Sequence, residues 1–198
     1  MRALMPRLTG LRRLTLAAAI AMGATTAATA AVVSYSTVLD GPSELPPNAS
    51  PGLGIAQVDI DAVAHTMHVH LTFSGLLGTT TASHIHAATA VAGTGTAGVA
   101  TTTPSFALFP LGVTAGLFDN TLDMTLASSY NASFITANGG TTASAEAALI
   151  QAIADGKAYL NIHTTVVPGG EIRGFLTPGV STPARESSWG RLKILYRQ

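Results

Sequence analysis

From Gly54 to Phe73 the chain alternates between apolar and polar side chains, and this period of two constrains the fold more than any other feature. Ala56, Val58, Ile60 and Ala62 are apolar, while Gln57, Asp59 and Asp61 between them are polar. The pattern resumes with Met67, Val69, Leu71 and Phe73 set against Thr66, His68, His70 and Thr72. Successive side chains of a strand point to opposite faces, so each segment predicts a strand with one buried and one solvated face. The short link at 63–65 joins the two as a hairpin. Further short strands are expected at 32–39, 82–87, 105–109, 117–127, 157–164 and 170–177. They are punctuated by Pro46-Pro47, Gly93-Thr94-Gly95 and Pro168-Gly169-Gly170. Many short strands at this spacing predict an all-β protein, an antiparallel Greek-key β-sandwich. One segment departs from the pattern. Ser144 to Ala154 is rich in alanine, with Ala145, Leu149 and Ile153 spaced by four, and predicts one short helix over 144–154. Thr142 or Ser144 is its expected N-cap, and Asp155-Gly156 its stop.

Charge divides the 198 residues into three parts. The formal net charge is zero, but only by cancellation. Arg2, Arg7, Arg12 and Arg13 give residues 1–30 a charge of +4. Residues 31–178 hold only Lys157 and Arg173 against nine acids, for −7, and 179–198 carry +3. The first part predicts a signal peptide over 1–30: a basic start, an apolar stretch from Leu14 to Ala24, and Ala28-Thr29-Ala30 as a small-x-small cleavage site. An uncleaved anchor is the alternative, because residues 14–39 carry no charge. Cleavage would leave a secreted or periplasmic protein with no membrane span, a domain over 31–178 and a basic tail over 179–198. The acidic body offers no phosphate-neutralising patch, which argues against a nucleic-acid partner. With no cysteine, disulfide scaffolds and thiolate metal sites are excluded.

Histidine is therefore where ligand chemistry has to be sought. In Ser83-His84-Ile85-His86 the strand period puts both imidazoles on one face, about 6.6 Å apart along the strand. Over Lys157 to His163, Tyr159, Asn161 and His163 share a face opposite Ala158, Leu160 and Ile162. His84, His86 and His163 thus form a candidate copper or zinc site if their strands are neighbours. A second pair, His68 and His70, would lie opposite Asp59 and Asp61 across the hairpin, and a solvated carboxylate–imidazole cluster accounts for it. His65 is assigned to the turn, without a role.

Three stretches carry a family resemblance. Leu39 to Pro47 holds Gly41 and Glu44 before a Pro pair, Phe73-Ser74-Gly75-Leu76 precedes Ser83-His84-Ile85-His86, and Gly156 to Thr164 leads into Pro168-Gly169-Gly170-Glu171-Ile172-Arg173-Gly174. Together they resemble the opening, central and closing motifs of the chordin-type (CHRD) domain over about 35–177. The resemblance implies an immunoglobulin-like or superoxide-dismutase-like sandwich of the bacterial secreted type, with no settled activity. It places Glu44, His84, His86, His163, Glu171 and Arg173 at motif positions. Ala87-Ala88 departs from the glycine that usually follows, which leaves open the loop leading to Gly93.

Three functions follow as expectations. One is a non-enzymatic module that binds or displays an extracellular protein or surface polymer. A second is a copper or zinc domain built on His84, His86 and His163, with Glu44, Asn161, Glu171 and Arg173 as a supporting network. In a purely structural reading of that network, Glu171 and Arg173 pair with each other, with Glu44 or with His163. The third, a dismutase, lacks a matching zinc loop and the cysteines of that family's disulfide.

Overall fold

The computed structural model describes residues 32–179. The expected signal peptide, and the tail beyond Gly179, lie outside the described residues. Among the described residues, eight strands form one antiparallel sheet: β1 (Val33–Asp40), β2 (Leu53–Asp61), β3 (Thr66–Ser74), β4 (Thr80–His86), β5 (Gly116–Asp123), β6 (Tyr159–Thr164), β7 (Ile172–Phe175) and β8 (Thr177–Pro178). The order is β4-β6-β7-β1-β2-β3-β5, with β8 also paired to β1. The chain crosses from β3 to β4, back to β5, and again to β6, so sequence neighbours lie at opposite ends of the sheet.

The sheet is continuous but curled, which makes the architecture sandwich-like. Its narrowest junction is β1–β7, where one residue pair, Asp40 with Arg173, is in register. Around it the β4-β6-β7 side folds over the β1-β2-β3-β5 side. Ile172 of β7 reaches over Gly54 of β2, close enough for contact with a Cβ built there. Gly174 sits so near Thr37 and the Val38 carbonyl that any side chain at 174 would collide with them.

The expected alternation is what fills the core. Ala56, Val58, Ile60, Met67, Val69, Leu71 and Phe73 are all buried, and Ile85, Leu160, Ile162 and Ile172 meet them from the other side. The β2–β3 hairpin pairs as expected, Val58 opposite Val69.

Three readings need correction. Residues 105–109 are not a strand: Phe106 and Phe109 close a tight turn, with Leu108 at positive φ, and plug both rings into the core from a loop. Spacing by three, between Pro104 and Pro110, suits a turn that inserts two anchors better than a pleat. The strand expected over 117–127 ends at Asp123 and gives way to a 3₁₀ turn (Ala127–Ser129) and a short helix, α1 (Ala132–Ala137). Asn131 caps α1 by accepting from the Ser133 amide. The expected helix is α2 (Thr142–Ala154), capped by Thr141, one residue before the first candidate and three before the second, in a reciprocal capping box with Ser144. Gly156, at φ 66°, ends it.

Candidate metal centre

Strands β4 and β6 pair so that His84 lies opposite Asn161, His86 opposite Tyr159, and Ala82 opposite His163. The face they share is turned away from the core and would be solvated in a bare sheet. Instead the long β4–β5 connection folds back across it, and His84 and His86 are only 6% and 9% exposed. The three imidazole rings pack edge to face or tilted, with centroids 5.0–6.3 Å apart.

Each ring is oriented by a backbone carbonyl. His84 Nε2 donates to Pro104 O, His86 Nδ1 to Ala97 O and His163 Nδ1 to Pro168 O, each at 2.8 Å. These bonds fix the tautomers and leave His84 Nδ1, His86 Nε2 and His163 Nε2 as lone pairs. One ligand nitrogen from each of the three rings lies within 4.8 Å of the others. Tetrahedral coordination with bonds of about 2.0–2.1 Å places ligand nitrogens about 3.4 Å apart, so binding an ion would draw the three rings closer together. A carbonyl behind each ligating imidazole is the support metal sites use to hold ring orientation and basicity.

Two of the lone pairs, on His84 and His86, are buried with no hydrogen-bond partner. Buried polar atoms without partners are rare in folded proteins and call for an explanation such as an ion. The third, His163 Nε2, accepts from Asn161 Nδ2 at 2.9 Å. Among the described residues this is the one cluster where three potential metal ligands come so close.

Burial pushes the His84 pKa down to about 4, assisted by the neighbouring His163 and His86 and opposed by its bond to Pro104. Burial also lowers His86 and His163. The unfolded chain therefore binds more protons than the folded one below the ordinary histidine pKa. Stability of metal-free protein is full above about pH 6.5 and falls as the pH drops toward 4, by roughly 3 kcal/mol for His84 alone. Urea midpoints measured between pH 7.5 and 4.5 on chelator-treated protein should show this slope, and His84→Phe should flatten it.

The remaining motif residues divide into two groups. Arg173 donates through Nε to the Ser43 carbonyl and through Nη1 to Gly95 O at 3.1 Å, and stands 3.8 Å from Glu44 Oε2. Its guanidinium also lies over the Tyr159 ring, 4.8 Å from the centroid, and Tyr159 stacks in parallel on His86 at 4.7 Å. Arg173 thus ties both covering loops, 41–48 and 87–115, to the histidine face. Gly170, at φ 128°, is required here, since a Cβ would run into the Glu44 carboxylate.

Glu171 pairs with none of Arg173, Glu44 or His163. It sits in a separate, fully buried nest, accepting from Ser50 Oγ at 2.6 Å, the Leu77 and Gly78 amides at 2.6 and 3.2 Å, and Thr164 Oγ1 at 2.6 Å. Burial raises its pKa, but these four donors outweigh burial and hold it below the usual carboxylate range.

The second histidine pair is a surface cluster, with one member misassigned. His68 reaches Asp59 at 3.6 Å as expected, but Asp61 turns away to cap the β2–β3 turn through the Val63 and Ala64 amides. The main partner is Asp119 of β5, 2.6 Å from His68 Nε2 and 3.2 Å from His70 Nδ1. The Asp119 hydrogen bond raises the His68 pKa, so the pair is fully formed below the ordinary histidine value and is lost as the pH rises through the elevated one. Asp119→Asn should lower the His68 pKa, followed by NMR, with Asp59 still raising it, and should have little effect on stability because the pair is exposed. His65 has a partner the sequence did not reveal: its Nδ1 contacts buried Glu146 of α2 at 2.8 Å.

The sequence model of the CHRD domain matches residues 35–176, most of the described chain. The chain belongs to the CHRD-domain family. No curated protein and no solved structure matches it. At the level of the family, membership supports a non-enzymatic module. Within this CHRD domain, the opening, central and closing motifs meet around one place: Glu44 and Ser43 from the first, His84 and His86 from the second, and Asn161, His163 and Arg173 from the third.

Proposed function

We propose that this CHRD domain is an exported metal-binding module that holds one copper or zinc ion through His84 Nδ1, His86 Nε2 and His163 Nε2. The observation that carries the reading is the clustering of three imidazoles, each offering a nitrogen within 4.8 Å of the others, with two buried ring nitrogens left without any partner and each ring held by a backbone carbonyl. All-imidazole ligation suits both metals, with Cu(II) binding more tightly in general. The basic leader at 1–30 supports export to a compartment where such an ion is taken up outside the cytoplasm.

Calorimetric titration of the purified domain tests this. Wild-type protein is expected to take up one equivalent of Cu(II) or Zn(II), and His84→Ala/His86→Ala to lose that uptake while keeping its circular dichroism. Equal, weak uptake by both would remove the proposal.

A display role has one observation in its favour. Val38, Ile55 and Leu117 align with Thr72 across β1, β2, β3 and β5 on the outer face, and Ile55 is 63% exposed. A surface polymer or extracellular protein retained by wild type but not by Ile55→Asp in an envelope pull-down would support that role. Identical retention by both would count against it.

A further inference from the structure

The three histidines do not stand alone on their face. Asn161 lies directly across the ladder from His84 and is 2% exposed. Its Nδ2 donates to His163 Nε2, while its Oδ1 is buried with no partner, like His84 Nδ1 and His86 Nε2. Four acceptor atoms are thus gathered around one amide group, and its two N–H hydrogens are the only donors it brings to them. Three of the four have no partner at all.

We infer that Asn161 Oδ1 is the fourth ligand of the ion held by His84, His86 and His163, so that the site is a three-nitrogen, one-oxygen set. The inference rests on the metal reading above. A cation satisfies all four acceptors at once, which no rearrangement of two amide hydrogens can do. The motion required is rotation about the terminal side-chain torsion of asparagine, which is broad and soft. That rotation withdraws the amide nitrogen from His163 Nε2, frees the third imidazole lone pair and brings the oxygen toward the ion. In the metal-free protein the amide then acts as a stopper, holding His163 in its ligating orientation through a hydrogen bond. A carbonyl oxygen is an acceptable partner for zinc or Cu(II) beside imidazoles, and it adds no charge to a face already bordered by the Arg173 guanidinium.

Zinc chloride titrations of four folded proteins, each checked by its thermal melt, test the assignment. Wild type and Asn161→Asp should bind one equivalent, the aspartate as tightly or more tightly because it supplies an anionic oxygen at the same place. Asn161→Ala should bind at least about ten-fold more weakly, by comparison with the losses seen when even supporting groups of a metal site are removed. His84→Ala serves as the reference for loss of an imidazole. If Asn161→Ala binds as tightly as wild type or more so, the amide only obstructs His163 and the fourth-ligand assignment fails while the metal reading stands. If Asn161→Asp is as weak as Asn161→Ala, the residue acts through packing and the assignment also fails. If wild type takes up no zinc here and no copper in the calorimetric titration above, the metal reading itself falls.

Discussion

Glu171→Ala is expected to destabilise the domain by about 3–5 kcal/mol, because several buried donors lose their acceptor at once. The reason is the number and placement of the donors left behind. Ser50 Oγ, Thr164 Oγ1 and the Leu77 and Gly78 amides all point at this carboxylate, and they come from three separate stretches of chain. Removing the acceptor strands them in a site with no water access, where each unpaired group costs about 1–3 kcal/mol. For a domain of this size the loss corresponds to a fall in melting temperature of roughly 6–20 °C. Glu171→Gln, which keeps one acceptor oxygen, should lose less. Because the folded pKa is depressed, the contribution is present above the ordinary glutamate pKa and is lost as the pH falls through the lower, folded value. Thermal melts of wild type and both variants at pH 7 provide the check. A shift of only a degree or two for alanine would mean the nest is not closed to solvent.

The second large effect is metal-dependent stabilisation. An ion that binds only the folded protein adds about 2.7 kcal/mol when its free concentration is a hundred times the dissociation constant, worth roughly 5–11 °C in melting temperature. Copper or zinc should therefore raise the melting temperature of wild type by this order, a chelator should reverse the rise, and His84→Ala/His86→Ala should show none. His68→Gln/His70→Gln should respond like wild type, because that exposed pair is already engaged by Asp119 and Asp59. A shift that follows the His68 pair instead would move the site to the outer face.

What could be read in advance was whatever depended on near neighbours in the chain. The β2–β3 hairpin, the buried sets from Ala56 to Phe73 and the common face of His84 and His86 all follow from a period of two over consecutive residues. His163 shares that face because β4 and β6 pair directly. Elements set by distant contacts were hidden. Asp119 became the partner of His68, 51 residues away, because β5 pairs with β3, and no local pattern encodes that pairing. The carbonyls of Ala97 and Pro104 orient two imidazoles from a connection without periodicity. Asn161 was legible as a member of the histidine face, but its place among three lone pairs depends on lying opposite His84. Residues 105–109 imitate a strand because Phe106 and Leu108 are apolar at a spacing of two, yet Leu108 is exposed and the second buried ring is Phe109.

X-ray absorption at the metal edge, on protein loaded with one equivalent of copper or zinc, addresses the central claim most directly because it counts and identifies the ligating atoms. Three imidazole nitrogens and one further light atom at about 2.0–2.1 Å are expected, with the imidazole scattering reduced in His163→Ala. A shell dominated by oxygen, or one unchanged in His163→Ala, would contradict it.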